Sequence, residues 1–330
     1  MQTLYVSQQG CYVCVKGEEL LVKQKEKILG TVQLPLLEMV LIFGQSQMTT
    51  QAIRSCLWRN IPIAYLSRMG YCYGRILPIE RGYRQLARYQ QLLTSVDRLL
   101  VARQMVQGKL RNSRTILSRQ NRRRPVLDLQ GILQQLEYLT DKAGRAESLD
   151  QLLGYEGAGA AQYFSGFGES LQGRDFVFMG RSRRPPGNPV NAMLSFGYQV
   201  LWNHLLTLIE LQGLDPYLSC LHEGHDGHAA LASDLIEEFR APFVDSLVLY
   251  LVNRNMMSAT DDFIHHQGGY YLNDTGRRKF LRAFLLRMEE TVTDESGQEQ
   301  PKWDLLQQQV KAYKRFVYKP VLGYSPYQIR

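Results

Sequence analysis

Near residue 81 the apolar residues change from short, turn-punctuated runs to a spacing near 3.6, so one uniform architecture cannot hold the whole chain. Upstream, residues 4–6, 11–15, 19–22, 28–32 and 39–43 form short strand-like runs separated by clusters such as Gln8-Gln9-Gly10 and Lys16-Gly17-Glu18. Residues 49–59 have helical spacing, and 61–66 return to a strand pattern. A small β-sandwich with one helix is the simplest assembly. Downstream, Leu86, Tyr89, Leu93, Val96 and Leu100 share one predicted helix face, with the arginines largely on the other. Further helices are expected around 129–139, 150–164, 189–212, 229–257, 275–293 and 307–317, with Pro242 set to kink or split the 229–257 helix. The expectation is an α+β protein: a β-sandwich-like domain over residues 1–85, then a large all-α domain over 86–330.

Charge narrows the partners. The formal net charge is +8, yet residues 81–124 alone carry twelve Lys or Arg against one acid, Asp97, so the remainder is slightly acidic. Positive charge gathered in one segment suits a polyanion, nucleic acid before an anionic membrane, although a solvated helix face has the same composition. The apolar run 34–44 is short and contains Glu38, so nothing spans a bilayer. Residues 1–10 lack a basic and an apolar signal region, and the five cysteines are odd in number. A cytoplasmic protein with reduced thiols is therefore expected. Cys11 and Cys14 have C-x-x-C spacing without a second pair, and in a strand they face opposite sides, which favours packing over zinc.

Three stretches put polar groups where a helical core prefers apolar ones. Glu156 opens a run of small residues, Gly157 to Ala161, that lets neighbouring elements approach. Alone, it is explained by an acid near a helix N-terminus. His222, His225 and His228 recur at spacings of three, but Gly224 and Gly227 make that stretch a loop, so helical ligand spacing does not apply. Asp234, Glu237 and Glu238 share one predicted helix face, and Arg240 lies on another, so it does not neutralise all three. A divalent cation would relieve their repulsion, and carboxylates with one imidazole suit Mg²⁺ or Mn²⁺ better than structural zinc. An ordinary acidic surface is the alternative.

The order Gly154-Tyr155-Glu156-Gly157, then Arg183-Arg184-Pro185-Pro186-Gly187-Asn188-Pro189-Val190-Asn191, then Leu221-His222, then Asp234 to Arg240 resembles the CRISPR adaptation integrase family, over nearly the whole chain. The resemblance implies that Glu156, His222 and Glu237 hold one divalent metal, with Asp234 as a supporting catalytic acid and Glu238 outside the ligand set. It implies a divalent-metal-dependent endonuclease and integrase in which a DNA 3′-hydroxyl attacks a phosphodiester at a CRISPR repeat. It further implies a homodimer formed through the β-rich domains and a complex with the second CRISPR-associated adaptation protein. Arg122, Arg123, Arg124, Arg183 and Arg184 are the candidate phosphate contacts. Asn188 stands where the family often has Asp, and His225 and His228 occupy a loop that is often basic in relatives. A branched-DNA nuclease that does not integrate shares such a site, and a nucleic-acid scaffold with a degenerate site shares the basic surface.

Overall fold

The computed structural model describes residues 2–68, 71–79, 83–124, 128–173, 175–224, 227–293, 297 and 299–329. Eight strands precede the long helices: β1 (Gln2–Val6), β2 (Tyr12–Lys16), β3 (Glu19–Gln24), β4 (Lys27–Gln33), β5 (Leu37–Phe43), β6 (Gln47–Met48), β7 (Ile63–Leu66) and β8 (Cys72–Ile76). Helix α1 (Thr50–Trp58) lies between β6 and β7, with Thr49 Oγ1 accepting from Ala52 N–H at its start. The strands form two sheets, ordered β1-β5-β7-β8 and β4-β3-β2-β6.

Strand β5 explains why its sequence is apolar without alternation. Val40 and Ile42 pack between the sheets with Val13, Leu20 and Cys56, whereas Met39, Leu41 and Phe43 join the core of the helical region. A strand pairing in parallel on both sides and buried on both faces reads as a continuous apolar run. Each such side chain contributes about 1.5–3 kcal/mol relative to exposure. Strand β8 was not anticipated, because Gly74 and Arg75 break the apolar pattern; it joins antiparallel to β7.

The helical region holds α2 (Tyr83–Leu92), α3 (Ser95–Arg123), α4 (Gln130–Gly144), α5 (Leu149–Glu169), α6 (Pro189–Leu211), α7 (Ala230–Phe239), α8 (Ser246–Asn253), α9 (Asp274–Glu289) and α10 (Lys302–Tyr318). The apolar face expected from Leu86 to Leu100 does not run through. Thr94 and Asp97 form a capping box that starts a new helix, and Val96 and Leu100 end on the surface. Around Pro242 the α-helix is interrupted between α7 and α8, as expected, although the chain stays helical. A π-helical turn, Arg240–Asp245, widens the backbone pairing around the missing N–H and joins α7 to α8. The region is not purely helical: β9 (Phe263–His266) pairs with β10 (Gly269–Leu272), and β11 (Thr291–Thr293) with β12 (Glu299–Pro301), both antiparallel. Among the described residues, no helix is long and apolar enough to cross a membrane.

His204 of α6 fastens the two regions together. Its ring packs among Tyr5, Phe43 and Trp303, from β1, β5 and α10.

Candidate active site

Close helix packing builds the site first. Gly159 of α5 lies so near α3 that a Cβ there would stand 2.3 Å from Leu110 Cδ2. That approach lets Glu156, one turn earlier on α5, form an ion pair with Lys109 of α3. Glu156 sits two turns past the Ser148 cap, so the helix-terminus explanation for this acid does not hold. Lys109 Nζ also lies 2.6 Å from Glu237 Oε2 on α7. Arg240 Nη2 is 3.1 Å from Glu237 Oε1, so of the three acids on α7 this arginine neutralises Glu237, in keeping with the expectation that it does not serve all three.

His222 reaches the same carboxylate from a loop, with Nε2 3.9 Å from Glu237 Oε1. Asp234 fixes the loop. Its Oδ2 accepts from Cys220 and Leu221 N–H at 2.7 and 3.0 Å. Its Oδ1 accepts from His222 N–H at 3.0 Å and lies 2.8 Å from His222 Nδ1. With Nδ1 held by Asp234, Nε2 is the ring nitrogen on the Glu237 side, free to carry a proton or, in the neutral ring, to meet a cation.

The electrostatics follow from this packing. Burial pushes the Glu237 carboxyl upward, but the charges of Arg240, Lys109 and His222 outweigh it and hold it at about 2. Burial pushes His222 down, yet its hydrogen bond to Asp234 and the charge of Glu237 leave it raised overall. Behind Glu237, the Tyr198 ring lies between two guanidinium groups, with Arg240 Cζ 4.9 Å and Arg181 Cζ 5.5 Å from its centroid. Tyr198 and Tyr163 both donate to buried Asp245, at 2.5 and 2.9 Å, and burial lifts that carboxyl to about 6.

The donor chemistry fits a hard divalent cation: two carboxylates from different helices and one imidazole nitrogen with its other nitrogen engaged. Among the described residues no three His, Cys, Asp or Glu groups form a ready-made cage. The positive group between the two carboxylates is instead the Lys109 ammonium. Glu156, His222 and Glu237 are therefore the residues that could hold a metal, in competition with Lys109.

Other candidates are distributed differently. Glu238 turns away from Glu237, to Tyr324 and Tyr327 of the C-terminal segment. His228 stacks on Trp202 and lies 3.0 Å from Ser233 Oγ, apart from the carboxylates. His225 lies outside the described residues. Asn188 caps α6, its Oδ1 accepting from Asn191 N–H at 2.8 Å, a role Asp fills equally. Arg183 and Arg184 are exposed between α5 and α6, and Arg183 borders a hollow of about 770 Å³ beside Arg181. Arg122, Arg123 and Arg124 end α3, and the last two line a different cleft.

Lys109, Asn191 and Asp245 escaped the sequence reading. By sequence Lys109 belongs to the basic 81–124 segment, yet with Met105, Val106 and Leu110 it lies on a buried face. Asn191 is fully buried and accepts from Arg181 Nη1 and Ser182 N–H, at 2.9 and 3.1 Å, which seats the 180–182 loop on α6.

A family model described as CRISPR associated protein Cas1 matches residues 4–285. A CRISPR-associated endonuclease Cas1 of Thermus thermophilus is 31% identical, covering 94% of this chain and 95% of its own. A Cas4/Cas1 exonuclease–endonuclease fusion of Geobacter sulfurreducens is 36% identical over 88% of this chain; the chain spans about half of that relative, 53%. Among solved structures, a casposase bound to its integration product superposes with a TM-score of 0.77 over all of both chains at 24% identity. Part of a Cas6-RT-Cas1–Cas2 complex reaches 0.85 at 24% identity, over 100% of this chain and 99% of that one. These structures share the fold, and the family match together with the Thermus relative shows that the chain belongs to the CRISPR-associated Cas1 family.

Proposed function

We propose that this protein cuts and joins DNA phosphodiesters at the Glu156–His222–Glu237 cluster, inserting spacer DNA into a CRISPR array by attack of a DNA 3′-hydroxyl. One observation carries the reading: Lys109 and His222 meet at Glu237, Lys109 joins it to Glu156, and Asp234 orients the imidazole. Relatives named as Cas1 endonucleases and a fold shared with a casposase on its integration product support it. Mg²⁺ or Mn²⁺ held by Glu156, His222 and Glu237 would stabilise charge on the phosphorus and activate the attacking hydroxyl. The chain's own groups hold Glu237 ionised, aim Nε2 of His222, and set Lys109 and Arg240 where a phosphate oxyanion develops charge. Arg183, Arg184 and the Arg122–Arg124 run contact phosphates.

The partners are double-stranded DNA, a second copy of the chain paired through residues 1–80, and the second CRISPR-associated adaptation protein. Exposed Trp58, Tyr71 and Tyr73 on the β-rich region support the pairing, and the Cas1–Cas2 complex among the fold's neighbours supports the companion. Glu156→Ala, His222→Ala and Glu237→Ala should each abolish strand joining while duplex affinity stays within a few fold. Mn²⁺ or Mg²⁺, but not Zn²⁺, should restore chelated protein. Full joining by His222→Ala would refute the cluster, and cleavage without any joined product would leave only a nuclease.

A further inference from the structure

A second basic concavity lies on the other side of the catalytic helix. Glu237 faces Lys109 and Glu156. Glu238, the next residue round α7, faces the C-terminal segment, accepting from Tyr324 O–H and from Tyr327 N–H, the latter at 2.6 Å. Beyond Tyr327 a cleft of about 1610 Å³ opens between the end of α3, the face of the π-turn and α8 bearing Pro242, Ser246 and Tyr250, the start of α10, and residues 325–329. None of its described lining residues is Lys109, Glu156, His222, Asp234 or Glu237.

Its lining is one-sided in charge. Arg119, Arg123, Arg124, Arg254, Arg287 and Lys302 line it, and among the described lining residues there is no Asp or Glu. Glu290, just outside, pairs with Lys302 and Arg287. Among the described residues no carboxylate forms a salt bridge with Arg123, Arg124 or Arg254, and the Nη1 of Arg124 is buried without a hydrogen-bond partner. Between the cations stand amides, including Gln120, Asn253, Gln308 and Gln328, and Tyr250, which is 45% exposed.

The geometry points to a binding site for a single-stranded polynucleotide in this cleft, outside the reaction centre. Cations alone would take any polyanion. A duplex, however, hides its base faces in the stack, whereas an exposed tyrosine ring and amides inside a concavity suit unstacked bases and their edges. The site extends the proposed DNA reaction, because Arg123 and Arg124 are among its assigned phosphate contacts; Tyr250 and Arg254 are not, and they carry the test.

The probe is a fluorescein-labelled oligo(dT), its anisotropy measured on the full chain across a salt series, beside a duplex of the same length. The Tyr250→Ala/Arg254→Ala variant should bind oligo(dT) at least tenfold more weakly and lose ~0.7 of log–log salt slope for the missing phosphate contact. Duplex affinity and joining of saturating duplex should stay within twofold. Unchanged oligo(dT) affinity and slope would overturn the site, as would equal weakening for duplex and single strand. Tighter binding of an oligoglutamate of equal charge would reassign the cleft to an acidic protein segment. A wild-type chain that binds oligo(dT) through Tyr250 and Arg254 but joins no DNA would leave this site standing and remove the proposed reaction.

Discussion

One oxygen of Asp234, Oδ1, accepts from the backbone N–H of His222 at 3.0 Å and lies 2.8 Å from that residue's Nδ1, so a buried carboxylate sets both the position and the tautomer of the ring. The other oxygen holds the two preceding backbone N–H groups. An amide cannot replace it, because its NH₂ would face donors. Asp234→Asn should therefore lower joining by roughly 10–100-fold, as for groups that orient a metal-binding histidine. Duplex affinity should hold, and more Mn²⁺ should be needed for half-maximal rate. A wild-type metal titration in this variant would show that the ring is oriented by something else.

Lys109 sits between Glu156 and Glu237, where a divalent cation would compete with it. Lys109→Met leaves two carboxylates facing each other, and removing one partner of a buried pair is destabilising. The variant should melt below wild type in chelator, by ~2–4 °C for each kcal/mol lost. Mn²⁺ should then recover it, with a thermal shift larger than that of wild type. Equal shifts in the two proteins would mean that the ion, if bound, does not meet these carboxylates.

His204 gives the fold an acid sensitivity unrelated to catalysis. Among the described residues neither ring nitrogen has a hydrogen-bond partner, and burial lowers its pKa from 6.5 to about 3. The unfolded chain takes up the proton near pH 6.5 and the folded chain only far below it. Its contribution is thus fully present above pH 6.5 and lost as pH falls, by at most ~1.4 kcal/mol per pH unit. His204→Phe keeps the packing against Tyr5 and Trp303 without forfeiting a hydrogen bond. Melting curves at pH 7 and 5 should converge more closely in the variant; an unchanged gap would locate the sensitivity in the carboxylates instead.

The sequence carried the fold where apolar period and turn residues agree, as in β3 and α6, and less where distant partners decide. Nothing local to β5 says that Leu41 meets helices while Ile42 meets a second sheet. The hairpin β9–β10 did have a turn signal in Gln267-Gly268, both at positive φ, but it was submerged between helical runs. In the site, Glu156, His222, Asp234 and Glu237 were legible as a motif order. Helical spacing sets Arg240 apart from the acids as a group, and does not show that its guanidinium reaches back to Glu237. The closeness of Lys109 to Glu156 depends on Gly159 admitting Leu110, a contact between helices that no spacing rule contains.

Glu238 shows the same limit most sharply, since residues 237 and 238 are chemically alike in sequence and opposite in placement. Because Glu238 lies outside the ligand set that the family resemblance implies, its removal is expected to be mild for strand joining. In the structure it is fully buried and bonded to Tyr324 O–H and Tyr327 N–H, and burial lifts its carboxyl to about 8. Asn112 ties the same segment to α3, donating to Tyr327 C=O at 2.9 Å and accepting from Ile329 N–H at 3.0 Å. Glu238→Ala strips partners from a buried backbone donor and a buried phenol, at about 1–3 kcal/mol for each group left unsatisfied. The variant should melt lower, and proteolysis should reach residues 324–329 before the rest of the helical region. Its Mn²⁺ response should match that of wild type, because Glu237, on the other face of α7, keeps its partners. Glu238→Gln should recover part of the lost stability, its amide donating or accepting where the neutral carboxyl does. A Glu238→Ala protein with wild-type melting would mean that Asn112, Gln309 and the Phe239–Tyr327 stack suffice to hold the C-terminal segment, and one that melts normally but ignores Mn²⁺ would put Glu238 among the metal's ligands.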